Sequence, residues 1–103
     1  EMMRIAAVAN AHGIQVNPHV WGSPIMIAAS LHVTSTLPPC PTARAVKPYV
    51  HEPVMEFDRT PSAIREELCA KPFHQEDSSI AVPDGPGLGI EVDEEAVKGM
   101  SEL

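Results

Sequence analysis

The chain has 103 residues, a formal net charge of −7 and only seven Lys and Arg, so it lacks the clustered basic side chains that nucleic acid or an anionic membrane requires of a partner. Eleven prolines and six glycines call for many turns, yet 44% hydrophobic residues mark a folding polypeptide rather than a disordered one. Cys40 and Cys69 fall in no CxxC or zinc spacing and read as reduced thiols, no apolar run approaches a membrane span, and no signal peptide is read within the sequence; a cytoplasmic location is expected.

Met2 to His12 carries helix formers, and Gly13 is placed as their C-terminal stop. The sequence starts inside this helical pattern, so the chain is expected to be part of a longer polypeptide. Ile14 and Val16 make a brief strand that Pro18 ends, and His19, Trp21 and Gly22 follow at once. A barrel or open α/β sheet presents its chemical groups at such a strand end, which singles out His19. Ser23 is an N-cap with Pro24 in the first helical position, and the helix runs to about Ser35 with apolar residues on nearly all sides, as for a helix buried between other elements.

Leu37 to Pro48 is an irregular Pro-rich connection, and Tyr49 to Glu52 is a second short strand ended by Pro53. Glu52 therefore stands at a strand end, with His51 turned to the other face. Val54 to Arg59 alternates and is assigned to irregular extended structure; Glu56 and Asp58 within it are the carboxylates that compete with Glu52. Pro61 to Ala70 has a short helical pattern, Ile80 to Val82 a small strand, Pro83 to Gly89 a loop, and Ile90 to Val92 a further extended stretch. Asp93 caps a final helix through Lys98, and the run Glu91, Asp93, Glu94, Glu95 reads as its acidic first turn. The loop Gly85-Pro86-Gly87-Leu88-Gly89 lacks the Lys-Ser/Thr of a phosphate loop, the five histidines fit no metal-binding spacing, and Arg59 and Arg65 read as structural ion-pair formers. Two strands joined through a helix imply a parallel crossover, which needs further strands on either side, so the chain reads as the tail of a larger α/β fold.

The segments Ala11-His12-Gly13 through Pro18-His19-Val20-Trp21-Gly22-Ser23, Glu52 through Thr60, and Val82 through Glu91 resemble the C-terminal third of the mandelate racemase/muconate lactonizing enzyme group of the enolase superfamily. Within it they are most similar to the acid-sugar branch of galactarolactone cycloisomerases and sugar-acid dehydratases. The resemblance implies an α/β fold class: the C-terminal fragment of a (β/α)₇β TIM-like barrel, about its last two strands, plus the C-terminal part of an α+β capping domain. Residues 1–53 would hold the end of the sixth helix, the seventh strand and helix and the eighth strand, and residues 54–103 would return to the capping domain.

The chemistry implied is Mg²⁺-dependent removal of the proton α to a carboxylate, followed by β-elimination on an acid sugar or its lactone. By the same resemblance His19 is the seventh-strand acid or base, Glu52 the eighth-strand acid that hydrogen-bonds the substrate carboxylate, and Trp21 the substrate-binding wall that excludes water. The magnesium ligands, the opposing lysine and the aspartate that orients the histidine ring belong to earlier strands, so this chain is expected to hold no metal ligand and to be inactive alone. A homo-oligomer is expected of the full-length protein. Racemisation or epimerisation within the same superfamily and a non-catalytic truncated fragment are the alternatives.

Overall fold

The computed structural model describes residues 1–41 and 50–101. Helix α1 spans Met2–Ala11 and stops where the sequence places its stop: Gly13 takes φ 66°, its amide donates to the Asn10 carbonyl, and the Ile14 amide reaches back to Ala9. These paired bonds satisfy carbonyls that the last helical turn leaves open.

Strand β1 is His19–Val20, later than the Ile14 to Val16 expected from β-branched content. Pro18 begins the pairing instead of ending it. Its missing amide is harmless at the head of a strand, and its carbonyl accepts the Glu56 amide at 2.9 Å. Helix α2, Pro24–Thr36, follows Ser23, with Pro24 in the first turn. Near its end Thr34, Ser35 and Thr36 turn their hydroxyls back onto the carbonyls of Ser30, His32 and Val33, which competes with continuation of the helix. Leu37, held extended by the following Pro38, closes it.

Two short sheets follow. Strands β2 (Cys40–Pro41) and β3 (Val50–His51) pair antiparallel, Cys40 opposite His51. Strand β4 (Glu56–Phe57) pairs parallel with β1, His19 opposite Glu56 and Val20 opposite Phe57. The parallel partner of the His19 strand is thus Glu56–Phe57, within the stretch assigned to irregular structure. The second strand expected from Tyr49 to Glu52 is, over its described residues, a partner of Cys40–Pro41; Tyr49 and residues 42–48 of the Pro-rich connection lie outside the described residues. Met55-Glu56-Phe57 explains the pairing: the two apolar side chains pack inward while Glu56 points away, the period-2 signature of a half-buried strand.

The core forms where α2 crosses this parallel pair. Val20, Ile27 and Leu31 are buried together, and Met55, Phe57, Phe73 and Ile80 pack on them. Helix α2 therefore covers one face of the β1–β4 pair, and β1, α2 and β4 make a single strand–helix–strand crossover. Among the described residues the parallel pairing is this one pair, an α/β fragment.

Helix α3, Ala63–Glu67, lies beside α2. Beyond it the chain folds back on itself: Cys69 bridges Val92, the Ala70 amide donates to Glu91, and the Asp93 amide donates to Leu68. Ile80 to Val82, expected as a strand, has no ladder partner among the described residues. Asp93 caps helix α4, Glu94–Ser101, by accepting the amides of Glu95 and Ala96 on Oδ1. The Pro83 to Gly89 loop is tied to α2 by the 3.2 Å contact of His32 Nε2 with the Leu88 carbonyl. No helix among the described residues is long and apolar enough to cross a membrane.

Candidate active site

Alternation along two paired strands builds the site. Val20 and Phe57 face α2, so their predecessors His19 and Glu56 project from the opposite face, side by side because the parallel register sets them opposite each other. His19 Nδ1 lies 2.6 Å from Glu56 Oε2, a hydrogen bond and a short ion pair when the ring is protonated. Both side chains are largely exposed, at 71% and 66%, so solvent screens the pair and its value to stability is small. An ionised Glu56 can only accept, and in that state the shared hydrogen sits on Nδ1, leaving Nε2 to exchange a proton with another molecule.

An open cleft of about 390 Å³ adjoins the pair and is lined by His19, Trp21, Glu56, Phe57, Asp58 and Thr60, among others. Trp21 is 73% exposed, a large apolar side chain offered at the mouth of the cleft instead of to the core. At the other side of the cleft Asp58 accepts the Thr60 amide and hydroxyl and meets Arg65. The Thr60 amide and hydroxyl, aided by Arg65, hold the Asp58 carboxyl below the usual carboxylate range.

Glu52, the strand-end acid expected from the sequence, stands elsewhere. Its carbonyl accepts Gln15 Nε2 at 3.0 Å, which sets it beside Gln15 at the opposite end of the aligned segments from His19. His19 and Trp21 share the cleft, whereas Glu52 lines a different depression with Leu31, Met55 and Ile80. The carboxylate brought to His19 is Glu56. Its sequence signal was the apolar-acidic-apolar triplet Met55-Glu56-Phe57, whose two apolar members pack on the α2 core.

A bound divalent magnesium needs several converging oxygens at near-octahedral geometry. Among the described residues no three His, Cys, Asp or Glu side chains converge in that way, and the His19–Glu56 pair offers one carboxylate and one imidazole. The residues present do not fit a magnesium site.

Comparison with known proteins places the chain in a family. Residues 1–96 match the model described as enolase C-terminal domain-like. The chain is 40% identical over 97 residues to a D-galactarolactone cycloisomerase of Agrobacterium fabrum, covering 94% of this chain and 25% of that protein. It is 30% identical over 109 residues to a D-galactonate dehydratase of Xanthomonas euvesicatoria, covering 99% of this chain and 25% of that one. Among solved structures, the 3,6-anhydro-D-galactonate cycloisomerase of Zobellia galactanivorans superposes with a TM-score of 0.74 at 31% identity, over 96% of this chain and 24% of that chain. The chain thus spans about a quarter of the length of these relatives. With that match and a parallel β-α-β crossover whose first strand opens at His19, the chain belongs to the enolase C-terminal domain-like family, in the mandelate racemase/muconate lactonizing enzyme group of the enolase superfamily.

Proposed function

We propose that the whole protein to which this chain belongs is an acid-sugar cycloisomerase or dehydratase, and that the chain supplies His19 as its acid/base, Glu56 as the carboxyl group beside it and Trp21 as a wall of the substrate cleft. The observation that carries this reading is the 2.6 Å approach of His19 Nδ1 to Glu56 Oε2, each the first residue of its short parallel strand and both beyond the Gln15–Glu52 contact, toward the carboxyl end of the two aligned segments, where barrels keep their chemistry. The matched relatives named for acid-sugar reactions support the substrate class.

In the proposed reaction the C–H bond α to the substrate carboxylate breaks and its proton passes to a base. The released electron pair forms the Cα–Cβ double bond as the β C–O bond breaks. His19 exchanges a proton through Nε2, either as that base or as the acid that protonates the departing β oxygen. With Nδ1 engaged by a carboxylate the ring is held in one tautomer and one orientation. Glu56 reaches the same cleft, and in its protonated state it can donate to the substrate carboxylate, the role that the sequence reading gave Glu52. Trp21 covers an apolar face of the sugar and limits water. The magnesium dependence implied by the resemblance requires ligands from outside this chain, and a location in the cytoplasm and a homo-oligomeric assembly belong to the same proposal.

The test is His19→Asn in the full-length protein, assayed with aldaric lactones and sugar acids. The expected result is a loss of turnover of about 10²-fold or more with the fold intact, the scale of a missing acid/base. Unchanged turnover removes His19 from the mechanism.

A further inference from the structure

We propose that Arg65 is a positioning residue for the reacting pair: acting through Asp58 and the backbone beyond β4, it fixes where Glu56 stands relative to His19. The inference rests on the reading of His19 and Glu56 as the reacting groups.

Glu56 has no packing of its own to hold it, since its side chain is mostly in solvent. Its place is set by the backbone on either side. Upstream, its amide is bonded to the Pro18 carbonyl. Downstream, the chain leaves β4 through Asp58-Arg59-Thr60, and Arg65 grips this turn at three points. Nη1 donates to the carbonyls of Asp58 and Thr60, each at 2.8 Å, and Nη2 donates to the Asp58 carboxylate. The same carboxylate accepts the Thr60 amide at 3.0 Å and the Thr60 hydroxyl at 2.9 and 2.7 Å.

Three features separate this cluster from an ordinary surface ion pair. Arg65 is only 8% exposed, so its guanidinium lies where bonds are little screened and a lost partner leaves a buried donor. The planar fork matches two carbonyls and one carboxylate at once, a geometry that lysine cannot reproduce. Finally, the gripped turn starts one residue after β4 ends, and Asp58 and Thr60 line the cleft that His19 and Glu56 share. Helix α3, which carries Arg65, packs beside α2, so the grip ties the exit of β4 to the helix that covers the β1–β4 pair. Displacement of a reacting group by about 1 Å is enough to lower a rate about 10²-fold, so a grip two residues from Glu56 bears on turnover.

The test uses Arg65→Lys and Asp58→Asn in the full-length protein, with two readouts: kcat and KM on the acid sugar turned over, and the ring-nitrogen NMR signals of His19 compared with those of Glu56→Gln. The expected result is a kcat lower by about 10- to 100-fold at a KM within about threefold of the parent, with His19 signals displaced toward those of Glu56→Gln. A lowered thermal midpoint with parental kcat and parental His19 signals makes Arg65 a stabilising residue only and overturns the proposal. If Arg65→Lys does not fold, Asp58→Asn, which leaves both carbonyl acceptors in place, decides by the same criteria. If no acid sugar is turned over, the functional reading fails by itself, and the His19 signals still decide whether the grip positions Glu56.

Discussion

His19 and Glu56 stand opposite each other in parallel register, Nδ1 and Oε2 2.6 Å apart, although 37 positions separate them in sequence. The intervening chain makes this contact possible in two ways. Helix α2 returns the chain antiparallel to β1, so the second strand can enter in the same direction as the first. Val20 and Phe57 bury themselves against that helix, which forces their predecessors onto the other face. The geometry of the pair is thus a consequence of where the apolar residues go, and substitutions of the carboxylates can separate site chemistry from strand position.

The first expectation concerns the two acids. Glu56→Gln in the full-length protein should lower kcat by about 10²-fold or more, because a neutral amide neither orients the imidazole as a carboxylate does nor shares its proton. Glu52→Gln should change kcat by no more than about threefold, a range below any acid/base contribution. Steady-state kinetics on one acid-sugar substrate compares them directly, and the reverse order would return the role to Glu52.

Much of the fold was legible from the residues alone: the Gly13 stop, the Ser23-Pro24 start of α2 and the Asp93 cap all follow from local chemistry that acts within a few positions. The assignment of the second strand was not. Tyr49 to Glu52 has the stronger β-branched and aromatic content, but strand choice depends on which segment can lay apolar side chains on Ile27 and Leu31, and that is a property of the packed pair. Pro18 misled for a related reason, since proline has no N–H to donate yet leaves its carbonyl free to accept the Glu56 amide. Arg65 reads as a structural ion-pair former and does pair with Asp58, but nothing local announces that the cation will be buried among three oxygens.

Acid should reveal Asp58. Its folded carboxyl is held below the ordinary aspartate value, chiefly by the Thr60 amide and hydroxyl and then by Arg65. A carboxyl depressed on folding contributes stability that is fully present above its unfolded value and is lost as pH falls through its folded value. The contribution of Asp58 is therefore intact at neutral pH and disappears below about pH 4. Urea unfolding followed as a function of pH should show a steeper loss of stability below that point in the parent than in Asp58→Asn. Parallel curves for the two proteins would mean that Asp58 carries no such linkage.

The tight turn at Asp77-Ser78 is open to improvement. The amides and carbonyls of Glu76 and Ser79 bond each other at 2.9 and 2.8 Å, while Asp77 and Ser78 take φ of 46° and 63°. Two positive φ values in a two-residue hairpin are the type I′ geometry, which Asn-Gly adopts best. An L-residue in the left-handed region is strained by about 1–2 kcal/mol, and glycine returns about 0.5–1 kcal/mol of that through its extra freedom when unfolded. The double substitution Asp77→Asn with Ser78→Gly should raise stability by about 0.5–1 kcal/mol, seen as a higher midpoint in thermal or urea unfolding. A lower midpoint would contradict a type I′ turn here.

Two glycines with nearly the same backbone angle should respond differently to the same methyl group. Gly13 has φ 66° with nothing within 4 Å of the position a Cβ would take, so Gly13→Ala meets backbone strain alone, about 1–2 kcal/mol. Gly89 has φ 71°, and its Cβ would lie 2.6 Å from the Pro83 Cβ and 3.0 Å from both the Gly85 nitrogen and the Pro83 carbonyl carbon. Those neighbours are a ring and backbone, which cannot swing aside as a flexible side chain can. Gly89→Ala therefore adds overpacking to the same strain, about 1–3 kcal/mol more, and forces the loop open next to Leu88, whose carbonyl meets His32 on α2. Urea unfolding of the two variants should place Gly89→Ala well below Gly13→Ala, and equal losses would mean that the Pro83 to Gly89 loop is looser than its close approach to Pro83 implies.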